Sequence, residues 1–545
     1  MKSQDATRIS LFLILVGCAI VSCTQQKVDH KIKPAAEIGS RTVAGNFSAQ
    51  SKMSFDSSGI APFFNSYPGL KPYENQVRSF YQKRKYTYAW FDDGRLIEQA
   101  NNLANRTLDL KNDGLSQTLP YHEVLDSLLN SMNAETNKTQ ADLTLELMLT
   151  SQYFGFSKLA WQGLSDSAVD STGWYVPRKK VAYDAYLDSL LGAPSKNILT
   201  REPVYRQYEL LRKYLAKYRA LDALNNWLPL NKSILSLRQG DTSANLVQLK
   251  SRLFRMDDFH GDTLNHAFDK NLAEALMHFQ GRYGLDTTGL INNSTLGALN
   301  VPLKSRIRQI VVNMERSRWL PVSLNTAYIS VNIPEFKLHV YHADSLLWSC
   351  NVVVGKAFHP TSIFYGKVKY VVFSPYWDIP PSIVRAEILP GIKRGHHYLT
   401  KHHMEITGHR DGLPIVRQKP GPANSLGLVK FLFPNSFNIY LHDTPSKSLF
   451  VESSRAFSHG CIRVKEPAKL AAFLLQHDAQ WNPEKINLAM HAGKEQYVTI
   501  KNKVPVFIAY FTAFVDRSGA LNYRKDIYHR DNQLADMLIT DNVKN

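Results

Sequence analysis

Tyr328-Ile-Ser-Val-Asn-Ile333, Lys337-Leu-His-Val-Tyr341 and the run from Leu346 to Val354 mark where this chain changes character. A period of two puts successive side chains on opposite faces of a strand, so these segments read as β-structure. Lys367 to Phe373, Phe431-Leu-Phe433 and Asn438-Ile-Tyr-Leu-His442 continue the pattern. Together they predict a mostly antiparallel β domain over 325–545. Residues 385–425 interrupt it with His396, His397, His402, His403, His409 and the Pro420-Gly-Pro422 turn. That stretch reads as an inserted flap over one edge of the sheet.

Upstream, the apolar spacing is three to four. Leu96, Ala100 and Leu103 share one helix face, as do Leu125, Leu128, Leu129 and Met132, then Leu145, Met148, Leu149 and Tyr153, then Tyr208, Leu211, Tyr214 and Leu215. These predict an all-α scaffold over 71–232. Residues 233–302 form a second helical unit with three helices. One runs through Val247, Leu249 and Leu253, one from Asp269 to Tyr283, and one holds Ser294 to Leu299, after the turn Gly284-Leu-Asp-Thr-Thr-Gly289. A basic helix over 303–324 reads as a linker. The fold class is therefore multidomain α+β.

The chain has 545 residues, 44% hydrophobic and 11% aromatic, enough apolar surface for several cores and too much for a disordered chain. Four cysteines exclude a disulfide-stapled scaffold. The apolar run near residue 11 is too short to span a bilayer. With Lys2 and Arg8 before it and Ile20-Val-Ser-Cys23 at its end, it reads as a secretory signal over 1–22. A cysteine at the cleavage point resembles a bacterial lipobox, which implies lipidation of Cys23 and a membrane tether. The polar segment 23–70 reads as a flexible leash. Formal net charge is +18, but no run of five Lys or Arg occurs, and an exported chain rarely meets nucleic acid. The charge fits an anionic extracellular polymer or an anionic membrane surface better, with most of it a solvated face.

Two strings carry chemistry: Ile439-Tyr-Leu-His-Asp-Thr444 and Ser458-His-Gly-Cys-Ile-Arg-Val464. A cysteine attacks as thiolate, and an imidazole beside it can take the proton. His442 at a strand end and Cys461 entering the next short strand can be brought together. A residue following His442 can orient the ring through its carbonyl. Gly460 permits close backbone approach, and the Gly460 and Cys461 amides are candidate oxyanion donors.

Ser458-His-Gly-Cys-x-Arg463 with the upstream Tyr440-x-His-Asp443 resembles the active site of the YkuD-type L,D-transpeptidases. Val372 to Ile383, Ile388-Leu-Pro390, Lys419 to Phe431 and Val504 to Thr512 are similar to the large multidomain branch of that family, and 233–302 resembles a small peptidoglycan-binding domain. The resemblance implies Cys461 as nucleophile and His442 as base, with Asp443 supplying the orienting carbonyl. It implies Gly460 and Cys461 as oxyanion donors, and Tyr440, Ser458, His459 and Arg463 lining the cleft. Arg463 could hold a stem carboxylate. The implied reaction needs no metal or organic cofactor. The thiol attacks the amide between the position-three diamino acid of a peptidoglycan stem and the D-alanine at position four. The thioester then passes to an amine of a second stem, a 3–3 cross-link. Water, a free D-amino acid or a protein lysine are alternative acceptors. A wall-binding scaffold lipoprotein is the non-enzymatic alternative. The expected place is the cell envelope, on the periplasmic side of an outer membrane. Where the family has Thr-Pro, this chain has Thr361-Ser362, so the loop after Gly355 is expected to be less rigid.

Other candidates are weaker. Cys350, on a strand, reads as a core thiol. The histidine pairs 396/397 and 402/403 lack a carboxylate or third ligand at zinc spacing. Asp378 and Glu387 could form a glycosidase-type carboxylate pair, but nothing in the sequence links them.

Overall fold

The computed structural model describes residues 53–134, 140–192, 202–321, 326–343, 345–395 and 397–539. The expected signal segment, Cys23, the expected leash as far as residue 52, and His396 lie outside the described residues. Among the described residues no helix is long and apolar enough to cross a membrane.

The leash expected through residue 70 ends sooner. Ile60–Ser66 is a helix, and Ile60, Phe63, Phe64 and Leu70 are buried in the helical core. Phe63 meets Phe64 edge-on at 5.1 Å, and Tyr67 meets Tyr121 at 5.2 Å. These aromatic contacts remove apolar surface from water, which a solvated tether could not do.

The scaffold is helical as expected. Helix α1 (Leu143–Phe156) runs through its middle, capped by Asp142, whose side chain accepts from Leu145 N at 3.0 Å. From Leu145 to Phe156 every residue is buried, so the helix is enclosed on all sides. It carries one carboxylate inward. Glu146 Oε1 accepts from Tyr81 Oη (2.6 Å) and Ala89 N (2.5 Å), and Oε2 from Trp90 N (3.1 Å). Helix α2 (Gln207–Ala223) closes this body.

The second unit contains α3 (Asn245–Arg255), α4 (Lys270–Arg282) and α5 (Asn293–Leu299). Asp269 and Asn292 cap α4 and α5 through their side chains. Its apolar residues join the scaffold core in one cluster.

Helix α6 (Leu303–Trp319) is not a linker. From Ile310 to Trp319 it is buried, charged residues included. Each charge is paired, as burial requires. Glu315 accepts from Arg318 Nη1 (2.5 Å), Trp319 Nε1 (2.9 Å) and Leu164 N (2.7 Å). Arg318 also donates to the carbonyls of Ala160 (2.9 Å) and Asp113 (2.7 Å), and Arg316 pairs with Asp531 at 2.7 Å. Ile310, Val311 and Met314 face the helical core, whereas Val312 and Trp319 face the β core.

The β domain is built from β1 (Ala327–Asn332), β2 (Lys337–His342), β3 (Ser345–Gly355), β4 (Ile363–Phe373), β5 (Val429–Leu432), β6 (Leu441–His442), β7 (Ile462–Val464) and β8 (Gln496–Ala509). Hydrogen bonding runs β5-β6-β7-β3-β2-β1-β8-β4, and β4 pairs again with β5, so the sheet closes into a barrel. Most pairs are antiparallel, but β1–β8 and β6–β7 are parallel. Trp174–Tyr175 of the scaffold adds to β4 in parallel. After β8 the chain leaves the barrel. The hairpin Ala513–Val515/Leu521–Tyr523 buries Ala513, Val515, Leu521 and Tyr523 in the helical core. Helix α7 (Arg530–Leu538) then packs on α6.

The flap is a folded layer. Trp377–Asp378, Leu413–Gln418 and Met404–Arg410 form a three-stranded sheet, and Ile379, Val384, Ile388 and Val416 make a small core of their own. It begins at Trp377, ahead of the expected residue 385.

Candidate active site

The site is set by one parallel pairing. β6 and β7 align Leu441 with Ile462 and His442 with Arg463, and Ile462 N donates to Tyr440 O at 3.1 Å. Leu441 and Ile462 are fully buried and face the barrel core. Alternation then puts Tyr440, His442, Cys461 and Arg463 together on the opposite face. The spacing seen in sequence becomes side-by-side placement across two strands.

His442 is buried, and its Nδ1–H donates to the Asp443 carbonyl at 2.5 Å. That bond assigns the tautomer and leaves Nε2 as the basic nitrogen. Burial, together with the Arg463 charge, lowers the His442 pKa to about 4. The imidazole is therefore neutral at neutral pH. The Asp443 side chain faces away and holds the neighbouring backbone. Oδ2 accepts from Leu428 N at 2.9 Å, and Oδ1 pairs with Lys447. The role of Asp443 in orienting the ring belongs to its carbonyl.

The thiol differs from expectation. Burial pushes the Cys461 thiol up, against hydrogen bonding from Tyr440 and the Arg463 charge. The resting pair is a neutral thiol and a neutral imidazole, not a thiolate–imidazolium pair. The sulfur contacts the Asn438 carbonyl at 3.7 Å and the Tyr440 hydroxyl. No hydrogen bond joins Sγ to His442 among the described residues. The Tyr440 and His442 rings lie 5.7 Å apart, so Tyr440 neighbours both the imidazole and the sulfur. Burial raises the Tyr440 pKa too, keeping its hydroxyl protonated.

The Gly460 amide is not a free oxyanion donor. Gly460 N donates to Ser458 Oγ at 3.1 Å, and Ser458 Oγ donates to the Cys461 carbonyl at 2.5 Å. Ser458 is buried and shapes the turn from within. Gly460 has φ +115°, a conformation that needs glycine. Its carbonyl accepts from Thr361 Oγ1 at 2.7 Å. His459 is half-exposed, with Nε2 3.5 Å from Glu387 Oε1 of the flap and its ring 5.5 Å from that of His359. Burial lowers the His459 pKa, while Glu387 pulls it the other way. Glu387 thus meets a histidine of the site. Arg463 has no carboxylate partner among the described residues, and its Nε is buried without a hydrogen bond. Burial lowers its pKa. A cation kept unpaired beside a thiol is suited to an incoming carboxylate. Cys350 is buried on β3 with its pKa raised to about 11 by burial, as a core thiol should be.

Sequence reasoning missed Asn438, Thr361 and Tyr528. Asn438 adopts φ +54° just before β6 and offers the carbonyl that meets the sulfur. Thr361 appeared only as a departure at a loop. Tyr528 lies far along the chain, where no local pattern points to it.

Comparison with known proteins accords with this geometry. Residues 326–505 match the YkuD family, the L,D-transpeptidase catalytic domain. Residues 75–215 match a scaffold domain and 242–299 a peptidoglycan binding domain. A Haemophilus influenzae protein named "Putative L,D-transpeptidase" is 32% identical over 243 residues, 42% of this chain and 49% of that protein. The chain thus spans about half the length of this relative. Among solved structures, an L,D-transpeptidase from Mycobacterium smegmatis is 12% identical, with 34% of this chain and 58% of that one covered and a TM-score of 0.19. One from Stackebrandtia nassauensis is 12% identical, covering 50% and 95%, with a TM-score of 0.21. At those scores the superpositions carry no argument. The site residues all lie inside the matched segment 326–505, and the chain therefore carries a YkuD-type L,D-transpeptidase catalytic domain joined to a scaffold domain and a peptidoglycan-binding domain.

Proposed function

We propose that the protein is a peptidoglycan L,D-transpeptidase with Cys461 as nucleophile. The observation that carries this reading is the shared face of β6 and β7. It gathers a thiol, a neutral imidazole, a protonated tyrosine and an unpaired guanidinium on one side of two paired strands.

Because thiol and imidazole rest uncharged, the proton moves as the sulfur attacks. His442 Nε2 takes the Cys461 proton while Sγ bonds to the carbonyl carbon that joins the position-three residue to the D-alanine after it. The Cys461 amide faces the resulting oxyanion, since the Gly460 amide is engaged with Ser458. The imidazolium returns the proton to the departing D-alanine amine, the C–N bond breaks and a thioester remains. An amine of a second stem then attacks the thioester, His442 takes its proton, and the thiol reforms as the new amide is released. Arg463 holds a stem carboxylate, and the flap closes over the peptide through the Glu387–His459 contact. In this reading the protein works in the cell envelope, tethered by a lipid on Cys23 on the periplasmic side of an outer membrane.

Incubation of the full chain with tetrapeptide muropeptides, read by mass spectrometry, tests the proposal. The expected result is release of D-alanine, a thioester adduct on Cys461 and cross-linked dimers, all lost in Cys461→Ala. An adduct mapping elsewhere, or turnover that survives Cys461→Ala, overturns it. Tripeptide without dimers would replace the amine acceptor by water.

A further inference from the structure

Gly355 ends β3 at a crowded crossing. A Cβ there would lie 2.1 Å from the His359 carbonyl oxygen, 2.8 Å from Thr361 N and 3.1 Å from Gly460 Cα. Three backbone segments therefore meet at this glycine: the end of β3, the loop 356–362 and the turn that carries Cys461. Thr361, fully buried, ties two of them. Its Oγ1 accepts from Gly355 N at 2.9 Å and donates to Gly460 O at 2.7 Å.

The remaining groups of this crossing are taken by a side chain from beyond the barrel. Tyr528 Oη donates to Gly355 O at 2.7 Å and accepts from Thr361 N at 3.2 Å. One hydroxyl thus saturates a donor and an acceptor on opposite sides of the loop. The loop has Pro360 before Thr361 but lacks the proline expected after it, and these bonds add to its restraint. Tyr528 is itself fixed. Its backbone N donates to Tyr510 Oη at 2.8 Å, the two rings stack at 5.6 Å, and Tyr510 Oη donates to Asp526 Oδ1 at 2.6 Å. Asp526 accepts from Arg530 N (3.0 Å) and Asp531 N (2.8 Å) at the start of α7, and Asp531 pairs with Arg316 of α6.

We infer that Tyr528 is a positioning residue for the catalytic cysteine, and that 510–539 belongs to the catalytic apparatus although it lies outside the matched domain 326–505. It acts through Thr361 and Gly460 on the turn that sets Cys461. It touches no reacting atom. The inference rests on the transpeptidase reading above for its activity readout, but not for its structural one.

Tyr528→Phe in the full chain removes the hydroxyl and leaves the ring. Amide exchange at Thr361 should speed up, because its N–H loses an acceptor. Donor turnover should fall about tenfold in kcat, with KM changed less than about twofold, the scale of two lost hydrogen bonds. Thr361→Val should show the same kcat loss, Thr361→Ser should retain activity, and the Tyr528→Phe/Thr361→Val pair should be non-additive. Unchanged kcat in Tyr528→Phe overturns the positioning role, and so does unchanged Thr361 exchange or strict additivity. Should the wild-type chain itself give no turnover, the transpeptidase reading fails. The positioning role is then decided by the iodoacetamide alkylation rate of Cys461 in wild type and Tyr528→Phe, with equal rates overturning it.

Discussion

At the residue scale, the reactive pair is governed by desolvation more than by mutual charge. The neighbouring imidazole suggested a sulfur held ionised. The fold instead buries His442, partly buries Cys461 and adds the Arg463 charge, which opposes an imidazolium. A neutral His442 keeps its basic nitrogen far into acid. The acid limb of kcat/KM should therefore lie near pH 4 to 5, below an ordinary histidine limb. Arg463→Gln removes the adjacent positive charge, so the His442 pKa rises and that limb should move to higher pH. Arg463→Lys keeps the charge and should leave it in place. A pH–rate profile in which the two variants coincide would contradict this. The same depression has a stability sign. The unfolded imidazole binds a proton from about pH 6.5 downward and the folded one only near 4, so stability should be lost as pH falls through that window. Cys461, His442 and Arg463 were legible because the chemistry sits in two short strings. The state of their protons was not, because it depends on how deeply the barrel encloses them.

At the scale of the element, α1 and α6 show why composition misleads. The carboxylate of Glu146 sits in the most enclosed helix of the scaffold, and both its oxygens receive backbone N–H groups. Glu146→Gln must turn its amide N–H toward Ala89 N or Trp90 N, leaving a buried donor unsatisfied. The expected cost is about 1–3 kcal/mol, measurable by chemical denaturation. A neutral result would show that the pocket admits water. The sequence of α6, with Lys304, Arg306, Arg308, Arg316 and Arg318, reads as a solvated basic helix. Its partners Asp113, Ala160, Leu164 and Asp531 come from remote segments, and ion pairs made across such separations leave no local trace. The three helices of 233–302 were legible because their apolar spacing and the turn Gly284 to Gly289 are local signals, and the caps Asp269 and Asn292 lie within a turn of the helices they start.

At the scale of the whole molecule, the helical and barrel parts are stitched by α6 and by the returning segment 510–539. Asp531→Ala leaves Arg316 as a buried, unpaired charge, with an expected loss of about 3–5 kcal/mol. Calorimetry should show the helical and barrel parts unfolding together, both displaced to lower temperature by this substitution. Two separated transitions, with only one moved, would contradict a shared spine. The α/β division and the order of domains were legible from the change of period near residue 325. The closure of the barrel and the return of its last segment into the helical core were not, since both depend on pairings between distant stretches.

The unit over 242–299 is moored to this assembly. Arg282 of α4 bonds the Leu521 carbonyl, and Arg306 lies over the rings of Tyr283 and Tyr523 at 4.8 and 4.5 Å. Any strand gripped there is kept at one standing distance from the sulfur. On the transpeptidase reading proposed above, the protein would act as a caliper, whose jaw setting decides which stem along a neighbouring strand comes within reach.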